Sequence, residues 1–168
     1  MPDSRSELEK LRDLLNRGFN LLEQGDIRGA ADCCKQAIAI KPDLVQAHFL
    51  VGLVALEAQD RKTAFSAFGS VTHLDPRHAA AWAHLAKLYM GEGQVNLADA
   101  ALRRASDVQS EDPMVNDLLG TVSSLMGNHD DAQRYYRLAV GKAPQHPPFL
   151  LNLANNLVYH GRTAESAP

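Results

Sequence analysis

The sequence predicts an all-α fold built from tandem helix pairs. Small and turn-forming residues recur at a fixed step of 34: Gly25, Gln59, Gly93, Gly127 and Gly161 form one column. Ala30, Ala64, Ala98 and Ala132 form a second, and Gly18, Gly52, Ala86, Gly120 and Ala154 a third. Pro42, Pro76, Ser110 and Pro144 form a fourth. Four columns in one register are the mark of a repeat architecture. Inside the units, apolar and small residues keep helical spacing, as in Trp82, Leu85, Ala86 and Tyr89, or Ala30, Cys34, Ala37 and Ile38. No segment shows sustained strand alternation.

Each column has a physical task. The glycine column lies between two apolar runs, where a chain leaving a helix favours a residue that tolerates positive φ. Asp26, Asp60 and Asn128 follow it and suit the N-cap of a second helix. The Ala30 and Gly18 columns put small residues inside helices and let two helices approach closely. Proline ends the second helix. Asp43 and Asp112 then suit the cap of the next first helix, with Pro113 at a first helical position. Ser110 replaces the terminating proline, so the second helix of the third unit is expected to run on slightly.

The resulting organisation is one array over 1–168, with repeats at about 11–44, 45–78, 79–112 and 113–146, a terminal helix at about 147–160 and a tail at 161–168. At the N-terminus Ser6-x-x-Glu9 reads as a capping box, so the first helix is expected to start near Glu7 and to carry Leu8, Leu11 and Leu15 as one stripe. In the terminal helix Leu150, Leu153, Ala154 and Leu157 read as the apolar face, and Asn152, Asn155 and Asn156 as a wet one. Gly161 then opens a turn. Two readings of this end stand side by side: a solvating cap on the array, or the opening of a further unit in a longer chain.

Composition narrows the function classes. The net charge is −3, and the 34-residue blocks from residue 11 are each neutral except the third, at −2. No basic face builds up, which argues against a nucleic-acid partner. No apolar stretch approaches the ~18 residues that span a bilayer, and the opening residues hold no apolar signal region. Cys33 and Cys34 are adjacent, at no metal-ligand spacing, and read as small reduced core fillers. A cytoplasmic protein is expected. The histidines make no H-x-x-x-H pair, and there is no phosphate loop or nucleophile elbow. The Asp130-Asp131 pair suits a helix N-terminus. Tyr135-Tyr136 reads as a core position with an exposed neighbour. No catalytic residue, metal site or cofactor is expected in this chain.

The columns resemble the tetratricopeptide repeat (TPR) family, whose pattern is W-x₂-L-G-x₂-Y, A-x₃-F, then P. The third unit has Trp82-x₂-Leu85-Ala86-x₂-Tyr89 and Ala98-x₃-Leu102; the second has Ala64-x₃-Phe68 and Pro76; the fourth has Leu119-Gly120, Ala132-x₃-Tyr136 and Pro144. The first has Gly18, Ala30-x₃-Cys34 and Pro42. The match runs over about 11–161. Arg17 departs from the pattern where a leucine is usual. His48 and Asn116 stand at the Trp position, which suggests looser packing there.

The resemblance implies a right-handed superhelical stack of antiparallel helix pairs, four full repeats plus a C-terminal helix, acting as a protein-interaction scaffold. First helices would line a concave groove for a peptide or a partner helix. The groove residues it implies are Arg12, Leu15, Asn16, Phe19, Phe49, Leu53, His84, Lys87, Asp117, Thr121, Asn152 and Asn155. The Lys/Asn clamp positions for chaperone tails are Leu15 and Phe19, which cannot bind a carboxylate. Phe19, Phe49 and Leu53 could instead form an apolar pocket, or pack on their own neighbours. Two alternatives accompany this reading. One is an accessory array of a larger sulfotransferase- or glycosyltransferase-type enzyme; the other is weak homo-oligomerisation through an open array end.

Overall fold

The structure, a computed structural model, describes residues 4–165, with side-chain surroundings for 6–160. Among the described residues there are nine α-helices and no strand. They are α1 Ser4–Glu23, α2 Ile27–Ile40, α3 Val45–Glu57, α4 Arg61–Leu74, α5 Ala79–Gly91, α6 Val95–Asp107, α7 Pro113–Leu125, α8 His129–Lys142 and α9 Pro147–Glu165. The fold class is the expected all-α repeat. The helices divide into two compact units, Met1–Pro76 and Arg77–Pro168, and the division falls between the second and third helix pairs.

Within a pair, the turn is made by the glycine column. Gly25, Gly93 and Gly127 all have positive φ, and so does Gln59, at 58°. The next residue caps the second helix. Asp26 accepts from the Gly29 amide at 2.9 Å. Asp60 accepts from the Thr63 amide at 3.0 Å and from its hydroxyl at 2.6 Å. These bonds satisfy amides that the first helical turn would leave without a partner. Asn128 occupies the same position without a side-chain cap bond.

In the first unit α1 packs on α2 and α3, α2 on α3, and α3 on α4. Ala30, Cys34, Leu50 and Val54 form one buried cluster, and Leu11, Ala37 and Ala47 another. The close approach sits at glycine: a Cβ on Gly52 would stand 2.5 Å from the Phe68 ring. In the second unit α5 packs on α6 and α7, α7 on α8 and α9, and α8 on α9. Gly120 meets Tyr136 there as Gly52 meets Phe68. Cys33 and Cys34 are both buried and free. Burial, with the neighbouring Cys33, pushes the Cys34 thiol up to about 11, so it stays protonated.

Several local expectations are corrected. Helix α1 begins at Ser4, so Ser6 lies inside its first turn and does not cap it, and Leu8 is exposed rather than part of the buried stripe. The cap of the first helices falls in the Asp112 column, one residue after Asp43: Leu44 and His78 hold it. His78 Nδ1 accepts from the Ala81 amide at 3.2 Å, and Asp112 accepts from Met114 at 2.9 Å. Helix α6 does not run on at Ser110. It stops at Asp107, because Gln109 takes a left-handed φ of 52° and turns the chain.

The Trp-column polar residues are not loosely packed. His48 Nε2 is 2.7 Å from the Pro42 carbonyl, and Asn116 donates to the carbonyls of Ser110 at 2.9 Å and Asp112 at 3.0 Å. Each ties its helix to the preceding loop. Tyr135 is buried, not exposed, since its hydroxyl finds the Ser106 hydroxyl at 2.6 Å. In α9 the buried side chains are Phe149 and Asn156, whereas Leu150, Ala154 and Leu157 are exposed. Of the face read as wet, Asn156 is buried and Asn152 half-buried against α7 and α8, while Asn155 is exposed as expected; of the face read as apolar, Leu153 is half-buried. Helix α9 also continues through Gly161, whose helical cost of about 1 kcal/mol does not by itself stop a helix. The last residues of the expected tail, 166–168, lie outside the described residues.

Candidate functional site

The expected groove residues fall into two groups, one in each unit. In the first unit α1 and α3 present Arg12, Leu15, Asn16, Phe19, Phe49 and Leu53. Arg12 and Asn16 are exposed, and the Arg12 guanidinium lies 3.5 Å from Asp13 on its own helix. The apolar members are half-buried. Leu15 packs on the Leu11–Ala37–Ala47 cluster, and Phe19 on the Ala30–Cys34–Leu50–Val54 cluster. The Phe49 ring meets Phe68 edge-on, with centroids 5.7 Å apart. These rings are engaged by the core of their own unit. A shallow cleft of about 470 Å³ in this unit is lined by residues of α2, α3 and α4, His48, Lys62 and Ser66 among them, and by none of the expected groove residues.

The second unit brings its group together. Asn152 of α9 donates to both carboxylate oxygens of Asp117 on α7, at 2.9 and 3.1 Å. The two residues are 35 apart, one repeat plus one position, so the period itself sets neighbouring first helices side by side at this level. One turn along α7, the Thr121 hydroxyl donates to the Asp117 carbonyl at 3.0 Å and accepts from Tyr136 of α8 at 3.4 Å. On α5, His84 and Lys87 share a face at i, i+3. His84 is half-buried and Lys87 exposed. Asn155 is exposed.

The electrostatics of this group are those of a partly dry polar surface. Burial raises the Asp117 carboxyl above its ordinary range, opposed by the Asn152 hydrogen bond and by the charges of His146 and Lys87. Burial pushes the His84 imidazole down to about 4, and the charges of Lys87 and His78 push the same way. His84 is thus a neutral donor or acceptor at neutral pH. The Tyr136 hydroxyl is raised, by burial first. Tyr136 and His146 are the members sequence reading missed. Tyr136 was legible only as a core residue, since its hydroxyl reaches the face past the gap at Gly120. His146 stands in the cap column of Asp112, which was the available signal. Among the described residues no group of three or more His, Cys, Asp or Glu is placed to hold a metal ion, and no helix is long and apolar enough to cross a membrane.

Residues 55–121 match the family model described as tetratricopeptide repeat. No curated protein matches the chain. Among solved structures, a thermophilic TPR protein of Thermus thermophilus is 19% identical over 86% of this chain and 80% of its own, with a TM-score of 0.71. Pseudomonas aeruginosa pilF is 21% identical over 94% and 72%, with a TM-score of 0.75. YrrB, a TPR protein with an unusual peptide-binding site, is 18% identical over 88% and 76%, with a TM-score of 0.58. At these identities the likeness is one of fold.

Proposed function

Since residues 55–121 match the tetratricopeptide-repeat model and the chain shares the fold of such proteins, we propose that it is a protein-interaction scaffold, and that the first-helix face of its second unit takes a peptide or a helix of the partner. The observation that carries this is the Asp117–Asn152 pair. A carboxylate held half-buried at a cost, with its hydrogen-bonding set by a neighbouring helix, is a poor device for stability and a good one for recognition. His84, Lys87, Thr121 and the exposed Asn155 extend the same face with donors and acceptors suited to peptide amides and polar side chains. The peptide-binding site of YrrB supports the reading, as a case of this fold used in that way.

Fewer reasons favour the first unit. Phe19 and Phe49 contribute to their own core, and an aromatic already in edge contact with Phe68 offers a partner only part of its surface.

The test begins with affinity capture from the native source and identification of the partner by mass spectrometry. The purified partner is then titrated calorimetrically against wild type, Asp117→Ala, Asn152→Ala and Lys87→Ala. Loss of tenfold or more in affinity for the first two, with the helical circular dichroism retained, is expected. Wild-type affinity in all three would remove this face from the interaction.

A further inference from the structure

We propose that α9 pairs with α9 of a second copy of this chain, antiparallel, about a twofold axis passing beside Ala154.

The outward face of α9 is apolar along its described length. Leu150, Leu151, Leu157 and Val158 are 44, 60, 42 and 55% exposed, and Ala154 between them is exposed too. At 100° per residue these five form one stripe roughly 120° wide. It lies away from the side that docks through Phe149, Asn152 and Asn156.

The repeat says what such a face is for. Ala154 stands in register with Gly120, Ala86, Gly52 and Gly18, each buried in its unit. Gly52 and Gly120 receive the rings of Phe68 and Tyr136 from the helix that follows. Leu150 and Leu157 stand in register with Asn116 and Ser123, both buried. In α7 the register partners of Leu150, Ala154 and Leu157 are buried and those of Leu151 and Val158, Asp117 and Ser124, half-buried; on α9 all five positions are exposed, and they are more apolar there than in α7.

The stripe is also its own complement. Counted from Ala154, apolar residues stand at −4, −3, +3 and +4: Leu150, Leu151, Leu157 and Val158. An isologous contact requires that residue i meet j while j meets i. An antiparallel pair centred on Ala154 does so at every position, Leu150 with Val158 and Leu151 with Leu157. The small residue at the centre lets the two axes approach closely. Residues 147–160 contain no Asp, Glu, Lys or Arg, so the pairing brings no like charges together. A single helix pair lies at the small end of specific interfaces, so dimerisation on the order of 10–100 µM is expected.

The test uses the 168-residue chain. Sedimentation over a range from a few µM to several hundred µM is expected to pass from monomer to dimer. Leu151→Glu and Leu157→Glu, both at exposed positions, should keep the helical circular dichroism and lose the dimer, with at least a tenfold weaker association. Independently, Ala154→Cys places a thiol beside its own symmetry mate, within reach of a disulfide. It should oxidise to a covalent dimer, while wild type, whose two cysteines are buried, and a Leu97→Cys control on exposed α6 should not. A monomer throughout, which would leave the face to a helix from another source, overturns the proposal. So does a dimer that persists in both Glu variants, or cross-linking of Leu97→Cys as readily as Ala154→Cys.

Discussion

The ring of Tyr136 occupies the place a side chain on Gly120 would need: a Cβ built there meets two ring carbons at 2.7 Å. Tyr136 is buried and cannot swing clear as a surface lysine would. Gly120→Ala is therefore expected to cost about 1–3 kcal/mol by forcing the ring or α7 aside, and to lower Tm by several degrees. Gly69 in α4 is the counter-case. Nothing stands within 4 Å of its Cβ position, so Gly69→Ala gains about 0.5–1 kcal/mol of helical preference. Thermal melts of the two variants should move in opposite directions; a common direction would show that packing at Gly120 does not decide its residue.

His84 predicts a pH dependence of known sign. Its ordinary value is 6.5, and in the folded chain it is about 4. As pH falls through the ordinary range, the unfolded chain takes up a proton that the folded chain refuses until about pH 4. The unfolded state binds more protons throughout that window, so stability is full above it and is lost as pH falls from 6.5 towards 4. His84→Gln should flatten the slope of Tm against pH there. An identical slope in the variant would assign the acid sensitivity to other groups.

Asp117 titrates with the opposite consequence. Its folded carboxyl is raised, by burial first, so the folded state holds its proton longer and the group's contribution to stability falls as pH rises through the carboxylate range. Asp117→Asn removes the buried charge and can still accept from Asn152. It should raise Tm at pH 7 by about a degree or two, with the gain shrinking towards pH 3, while weakening partner binding. A variant that melts lower at pH 7 and binds normally would make Asp117 a structural residue.

How much of this was legible depended on whether the information was local. Asp26, Asp60 and Asp112 were readable as caps because a cap is set by the few residues after it. The turn column was readable because positive φ selects glycine. Gln109 was not, since a left-handed glutamine next to Ser110 carries no residue signature. Tyr135 was misplaced because its partner, Ser106, is 29 residues away. At α9 the apolar pattern identified a face that the repeat would cover. It could not say that α7 and α8 take the other side, which is a fact of packing. The Asp117–Asn152 pair was legible as two separate groove positions, and the step of one repeat plus one was there to join them.

Asn156 follows from that same packing. It is 4% exposed, and neither its amide nitrogen nor its oxygen has a hydrogen-bond partner among the described residues. In α7, α5 and α3 its 34-residue column holds Val122, Leu88 and Val54, all buried, while Asn20 in α1 is exposed. An amide buried in an apolar column without a partner costs about 1–3 kcal/mol, and the cost falls on the docking of α9. Asn156→Leu restores the column residue and should stabilise the second unit by at least about 1 kcal/mol, with slower hydrogen exchange along α9 as the local signature. Leucine is slightly bulkier, so Asn156→Val separates filling from polarity: if polarity is the cause, both variants gain. A loss of stability in both would mean that the amide is satisfied in solution and that its place in α9 is structural.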